Sequence, residues 1–273
     1  MMMMIPFKLL ILVLTISTTV RNKMARAENG YTLDSVRQAL IRQEDTIVFG
    51  LIERSKFPLN FLTYDNNYLQ SPGFCGSLIE FVVQHTETAQ AKAGRYENPE
   101  ENPFFPENLW PSLVPSYPFT KFLHSGAASI NINKSLWKMY FDDLLPMFVA
   151  SGDDGNYAQT AASDLSLLQA ISKRVHYGKF VAEVKFRETP QDYEPLIRAK
   201  DREGLMKLLT FKSVEEMVKK RVEKKATLFG QEMSLDSKEK QKFDPSVASR
   251  LYEKWVIPLT KEVQVDYLLR RLD

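Results

Sequence analysis

Residues that bind metals or form disulfides are scarce in this 273-residue sequence, which has one cysteine, Cys75, and three histidines. A single cysteine cannot form an intrachain disulfide, and the histidines lie at no spacing typical of zinc ligands, so we expect no metal site. Charge of one sign is not in excess either, because 36 basic residues stand against 34 acidic ones. This balance gives no reason to expect nucleic acid as a partner. Stability must come from a packed hydrophobic core.

Motifs of covalent and phosphate-binding catalysis are also lacking. The sequence contains no glycine-rich phosphate loop, no G-x-S-x-G nucleophile motif and no H-E-x-x-H pair. We therefore expect no cofactor and no covalent intermediate.

An apolar run of residues 9–20 follows Lys8 at the amino terminus. About 12 residues are too few to cross a bilayer, so we expect no stable membrane association. The run fits the apolar part of a secretory signal with cleavage near Ala27, although the basic stretch RNKMAR is unusual there. Alternatively, residues 1–23 are an extension that precedes a working start at Met24. Both alternatives stay open.

Helical periodicity dominates from residue 31 onward, with Leu33, Val36, Leu40, Ile47 and Leu51 on one face after a Thr32/Asp34 start signal. Further helices are predicted over about 74–94, 133–149, 157–187, 190–209, 213–228 and 245–272. The proline-rich stretch 97–119 and the stretch 151–156 predict loops. Strand signals are nearly absent. We predict an all-α, single-domain helical bundle that spans residues 24–273.

Polar side chains interrupt helices that otherwise resemble core. Arg174 and Lys185 are eleven residues apart on the predicted helix 157–187, which returns them to within about 20° of the same face, about 16 Å apart. Thr260 and Gln264 share a face of the last helix. The alternative is that the cations are exposed at the rim of the apolar stripe and that Thr260 and Gln264 are solvated. Arg54 is expected at an exposed helix surface. The residues alone are compatible with a helical domain that binds an anionic small molecule.

Several stretches resemble the eukaryotic, all-helical chorismate mutases of plants and fungi: VRQALIRQEDTIVFGLIERSKFPLN (36–60), NPFFPE (102–107), SKRVHYGKFVAEVKF (172–186) and IPLTKEVQVDYLLRRLD (257–273). The resemblance covers about residues 31–273 in the same order. It is greatest to the plant cytosolic form, since MARAENGYTLDSVRQALIRQEDTIVF begins at Met24 in the way such chains begin. It implies rearrangement of chorismate to prephenate for phenylalanine and tyrosine synthesis, by a cytosolic homodimer that needs no cofactor.

The resemblance also implies which side chains bind chorismate: Arg37, Arg174, Lys185, Glu215, Thr260 and Gln264. The two arginines would hold the substrate carboxylates, and Lys185 would face the breaking ether bond. Glu215, which otherwise reads as one more charge on a solvated helix face, would accept a hydrogen bond from the ring hydroxyl. Gln264 would donate to the ether oxygen beside Thr260. At reference pKa values no group in this set titrates between about pH 6 and 8.

Departures from the family pattern concern regulation and one site position. Phe211 stands where fungal members carry Asn. At the activator site, Ala158, Gln159 and Ala162 replace a Gly-Ser and a following Thr, and Gly94 replaces one of two adjacent arginines, which leaves Arg95. We therefore expect an enzyme that aromatic amino acids do not regulate.

Two other functions remain open at this point. One is a non-catalytic helical protein that keeps the pocket and binds an aromatic amino acid or a partner. The other is a secreted chorismate mutase, on which the glycosylation sequon Asn133-Lys134-Ser135 would report.

Overall fold

The computed structural model describes residues 31–69, 73–116, 121–234 and 243–273. Within these ranges the regular elements are helices and no β-strand forms, which confirms the all-α prediction. The predicted leader, residues 1–23, and the start at Met24 lie outside the described residues. No helix in the described ranges combines the length and the apolar character needed to cross a bilayer.

The α-helices, numbered in chain order, are α1 (Leu33–Ser55), α2 (Leu78–Lys92), α3 (Asn133–Met139), α4 (Tyr157–His176), α5 (Gly178–Glu188), α6 (Pro190–Arg198), α7 (Arg202–Leu209), α8 (Lys212–Ser234), α9 (Ser246–Leu251) and α10 (Ile257–Leu269). Two π-helical turns extend this set. Tyr140–Leu144 follows α3, and Tyr252–Val256 joins α9 to α10.

Capping residues fix where the first two helices begin. Thr32 and Ser35 form a capping box at the start of α1, and Ser77 and Glu80 form another at the start of α2. Each box satisfies amide groups that have no partner within the helix. The cap at Ser77 explains why α2 begins four residues later than the periodicity predicted.

Two predicted helices are divided in the structure. The stretch 157–187 is interrupted at Tyr177, which separates α4 from α5. The stretch 190–209 is interrupted where Lys200 adopts a left-handed φ of 51°. Asp201 then caps α7 by accepting a hydrogen bond from the Gly204 amide. Apolar spacing continues through both breaks, so periodicity alone does not reveal them.

The helices that frame the central bundle pack in a simple order. α1 packs along α4 and α8, and α10 packs along α5 and α7. Ile47 and Leu51 of α1 and Leu167 of α4 are fully buried where these two helices meet. As a result α1, α4, α5, α8 and α10 each turn one face toward a common region.

Arg54 corrects the expectation of an exposed surface charge, because its side chain is 0% exposed. Its Nε donates to Asp164 Oδ1 at 2.6 Å. Asp164 also accepts hydrogen bonds from the hydroxyls of Tyr64 and Tyr140. A buried cation is tolerated here because a carboxylate more than a hundred residues away in sequence neutralises it.

Asn133, the acceptor residue of the sequon, is 1% exposed. Its amide nitrogen donates to the carbonyls of Asn102 and Pro103, and its Oδ1 accepts from Ser172 Oγ. A glycan on this nitrogen is incompatible with the folded chain. The sequon therefore cannot report on secretion.

Candidate active site

Three of the predicted site residues meet where α4 and α10 touch. Arg174, Thr260 and Gln264 are 5%, 6% and 6% exposed. Arg174 Nη1 donates to Thr260 Oγ1 at 3.3 Å, and Gln264 Nε2 donates to the Thr260 carbonyl at 3.3 Å. The alternatives of a rim cation and of a solvated polar pair are wrong for these side chains.

Gly178 allows α5 to approach α10 at this point. A Cβ on Gly178 would lie 2.7 Å from the Thr260 carbonyl oxygen and 3.4 Å from Gln264 Cγ. Because 2.7 Å is closer than a carbon and a backbone oxygen can pack, only glycine fits without a shift. Gly178 lies between Arg174 and Lys185 in the sequence, and its position at the start of α5 is where α5 meets the last helix.

Lys185 of α5 lies at the other end of the region. Its Nζ is 4.8 Å from the centre of the Phe211 ring, a cation–π contact. Burial, and secondarily the positive charge of Arg37, lower the pKa of Lys185 to about 8. Arg37 on α1 is exposed but close enough to act on Lys185 electrostatically. Two cations on neighbouring helices thus face the same region.

Glu215 lies in the first turn of α8, and its amide donates to the Phe211 carbonyl at 3.0 Å. Its Oε1 accepts a hydrogen bond from Lys261 Nζ at 2.8 Å. Lys261 follows Thr260 directly on α10, so this ion pair links α8 to the helix that carries Thr260 and Gln264. All six predicted residues are therefore connected through contacts or neighbouring residues.

Several buried polar atoms of this region have no hydrogen-bond partner among the described residues: Arg174 Nε, Tyr252 Oη and Gln264 Oε1. Arg37, Arg174 and Lys185 also form no ion pair in the described ranges, whereas the buried Arg54 is paired with Asp164. Buried polar groups in proteins are nearly always satisfied, so unpaired ones that cluster indicate a ligand. The excess of positive charge indicates an anionic one.

Sequence reasoning missed Tyr252 and Lys261. The Tyr252 ring centre lies 5.7 Å from the Arg174 guanidinium carbon, on the π-helical turn before α10. No sequence signal marks a π-helical turn. Lys261 stands between Thr260 and Gln264 in the sequence, and this position is the signal that could have placed it in the site. In the described ranges no group of three His, Cys, Asp or Glu side chains is placed to hold a metal ion.

An all-α bundle that gathers arginine, lysine, hydroxyl and amide groups in one region has the chemistry needed to hold a small polyanion. The family model for chorismate mutase type II matches residues 156–265. This stretch contains all the predicted site residues except Arg37.

Similarity to known proteins indicates the same family over most of the chain. The chain is 61% identical over 251 residues to chorismate mutase 2 of Arabidopsis thaliana, covering 90% of this chain and 95% of that one. It is 52% identical over 250 residues to cytosolic chorismate mutase 2 of Zea mays, covering 89% and 96%. The crystal structure of AtCM1 with phenylalanine in its allosteric site is similar with a TM-score of 0.83 and 51% identity, covering 90% and 98%.

The chain belongs to the eukaryotic chorismate mutases. It is therefore an isomerase that converts chorismate to prephenate, and the alternative of a non-catalytic binding protein is not supported.

Proposed function

We propose that Arg37, Arg174, Lys185, Glu215, Thr260 and Gln264 form the active site in which chorismate rearranges. The observation that carries this proposal is the cluster of unpaired cations and unsatisfied buried atoms where α1, α4, α5 and α10 meet. Chorismate supplies what these groups lack, because it brings two carboxylates, an ether oxygen and a ring hydroxyl.

Arg174 and Arg37 bind the carboxylates. A guanidinium presents a planar fork that pairs with both oxygens of a carboxylate, which fixes orientation as well as charge. Arg174 is already oriented by Thr260 and by the Tyr252 ring. Its Nε, which has no partner, is available to the substrate.

Lys185 and Gln264 act on the ether oxygen, where negative charge develops as the C–O bond breaks and a C–C bond forms within the same molecule. No proton has to be transferred in this rearrangement. An enzymatic acceleration of about 10⁶-fold corresponds to about 8 kcal/mol. Holding the reacting atoms in near-attack geometry supplies most of this, and preorganised donors at the oxygen supply a few kcal/mol more.

A direct assay tests this proposal. Purified protein, dialysed and treated with a chelator, is expected to consume chorismate, followed by loss of its absorbance. Lys185→Met keeps the aliphatic stem and removes the charge, so kcat should fall by at least about 10²-fold. Near-normal turnover of this variant would remove the role assigned to Lys185.

We also propose that aromatic amino acids do not regulate this enzyme, although AtCM1 binds phenylalanine in an allosteric site. Ala158, Gln159 and Ala162 lie exposed on α4, where the family pattern has Gly-Ser and Thr. The alanines remove a hydroxyl that could bind the effector.

The conformation around Arg95 supports the same proposal. Gly94 adopts a φ of 83°, in which an arginine would be strained. Arg95 already donates to Glu101 at 2.8 Å and 3.1 Å and to Gln169 at 3.0 Å. Its guanidinium is thus held by its own chain. Titration of phenylalanine, tyrosine and tryptophan against initial rate tests this, and a several-fold change at millimolar effector would contradict it.

A homodimer is proposed because the family resemblance implies one and because one surface of the protein exposes apolar groups beside a cavity. A cavity of about 350 Å³ between α1 and α4 is lined by Phe49, Gly50 and Ala162 among others, and Phe49 is half exposed. Light scattering of the purified protein measures the assembly.

A cytosolic location is proposed because the maize relative is named cytosolic. Fractionation of cells that express the full chain with a carboxy-terminal tag tests it. A tagged protein recovered from the medium would contradict it.

A further inference from the structure

Lys261 is a cation of the site to which the proposed mechanism assigns no role. It lies on α10 between Thr260 and Gln264, and its side chain is 16% exposed. Its Nζ donates to Glu215 Oε1 at 2.8 Å and to Thr210 Oγ1 at 3.3 Å. One ammonium group therefore connects α10, the segment between α7 and α8, and the first turn of α8.

The second oxygen of Glu215 is available to a ligand. Oε1 is occupied by Lys261, and Oε2 accepts no hydrogen bond from the described residues. Without Lys261 the Glu215 carboxylate, whose side chain is 26% exposed, would be free to turn toward solvent. Ordering such a side chain costs conformational entropy that a substrate hydroxyl would otherwise have to offset.

We propose that Lys261 is a positioning residue that holds the Glu215 carboxylate ready to accept the hydroxyl of chorismate. This inference rests on the role proposed for Glu215. Lys261 acts through Glu215 and does not touch the substrate. Arg37, Arg174 and Lys185 differ from it because they have no carboxylate partner in the described ranges.

A double-mutant cycle separates action through Glu215 from direct action. Lys261→Met should lower kcat/KM about tenfold, since a charge-assisted hydrogen bond that orients a ligand group is lost. The division of this loss between kcat and KM should match that of Glu215→Gln. In the Glu215→Gln background, Lys261→Met should change kcat/KM by less than about twofold.

Lys219 provides a matched control. Its Nζ pairs with Glu253 Oε1 at 2.7 Å, between α8 and the π-helical turn before α10, and with Glu216 Oε1 at 2.6 Å within α8, and its side chain is 18% exposed. Lys219→Met removes an ion pair between elements, together with one inside α8, at a place outside the site. It should leave kcat and KM unchanged while lowering the melting temperature about as much as Lys261→Met does.

Three outcomes overturn the inference. If Lys261→Met behaves like Lys219→Met in all measurements, Lys261 is structural only. If its effect is fully additive with Glu215→Gln, Lys261 touches the substrate directly. If Lys261→Met and Glu215→Gln change kcat and KM in different proportions, Lys261 does not act through Glu215. Failure of the wild-type protein to consume chorismate would instead reject the proposed function itself.

Discussion

Lys185 shows at the scale of one residue how its surroundings change the charge that the proposed site relies on. Its ammonium lies over the face of Phe211, and its pKa is lowered to about 8 by burial and by Arg37. Reference values would keep this lysine charged to about pH 10. The free protein therefore holds a cation that loses its charge more readily than the sequence predicts. A substrate carboxylate would restore the preference for the charged form.

The pH dependence of the reaction should reflect this pKa. We expect kcat/KM to be flat from about pH 6 to 7 and to fall above about pH 8, as Lys185 of the free enzyme loses its proton. The decline of kcat should come at higher pH, because bound chorismate stabilises the ammonium. Steady-state rates across pH 6–10 measure both. A kcat/KM that stays flat to pH 9.5 would contradict this prediction, because Lys185 would then either keep its proton over the whole range or have a charge that the reaction does not need.

Gln264→Glu provides an independent check at the same site. A carboxyl donates to the ether oxygen only when protonated, and the ionised form repels the developing negative charge. The profile of this variant should fall as pH rises from about 5, well below the decline of the wild type. If the substitution leaves the profile unchanged, Gln264 does not face the ether oxygen.

At the scale of elements, the site depends on how closely α5 approaches α10. Gly178→Ala places a Cβ 2.7 Å from the Thr260 carbonyl, a backbone atom that cannot move aside without moving α10. We expect a loss of about 1–3 kcal/mol in the free energy of unfolding, as for other overpacked contacts. We also expect kcat/KM to fall by at least about tenfold, because Thr260 and Gln264 are displaced from Arg174.

Gly50→Ala is the control for this change. Its Cβ would lie 3.2 Å from Leu167 Cδ1, the end of a side chain that can adjust, where α1 meets α4. This variant should lose less stability and keep its turnover. The comparison needs only melting curves and initial rates for the two variants, and equal turnover of both would contradict the importance of the α5–α10 contact.

The elements themselves were largely predictable because helical periodicity is a local property. Apolar spacing located the start of α1 and both ends of α2 to within a few residues, while the predicted stretches 157–187 and 245–272 each cover more than one helix of the structure. The division of 190–209 was not predictable, because it depends on a left-handed residue, Lys200, that no residue type demands. The site residues came from family resemblance. Periodicity alone left them as rim or solvated side chains.

At the scale of the whole molecule, buried polar partners were beyond sequence reasoning. Arg54 and Asp164 are 110 residues apart, and Asn133 and Ser172 are 39 apart. Each of these residues is of a polar type that usually lies at the surface. Only the packing of α1 and α3 against α4 brings the partners together and makes burial of these groups tolerable.

His176 extends this network and should govern stability toward mildly acidic pH. It is 1% exposed, and its Nε2 accepts a hydrogen bond from the Ile132 amide at 3.0 Å, which requires a neutral ring. Its Nδ1 lies 2.9 Å from the Ser172 carbonyl and donates to it. Burial, and secondarily the charge of Lys179, lower the pKa of His176 from 6.5 to about 3.

The sign of the effect follows from proton uptake. Below about pH 6.5 the unfolded chain binds a proton at His176 and the native protein does not, so the free energy of unfolding falls as pH falls. Between pH 6.5 and 4.5 the contribution of His176 to the slope should approach one proton, about 1.4 kcal/mol per pH unit. Carboxylates with lowered pKa, among them Glu101 and Glu183, lose their contribution only below this window, whereas burial raises the pKa of Glu87 and Asp164, which opposes the effect of His176.

Replacement of His176 by glutamine removes the titration and retains an acceptor for the Ile132 amide. Urea unfolding at pH 7, 6 and 5 should show that the free energy of unfolding falls less with decreasing pH in His176→Gln than in the wild type. His85→Gln is the control, because His85 is exposed on α2. This variant should follow the wild type. If His176→Gln loses stability as steeply as the wild type from pH 6.5 to 4.5, the acid sensitivity comes from other groups. The native state would then not depend on a neutral His176 ring.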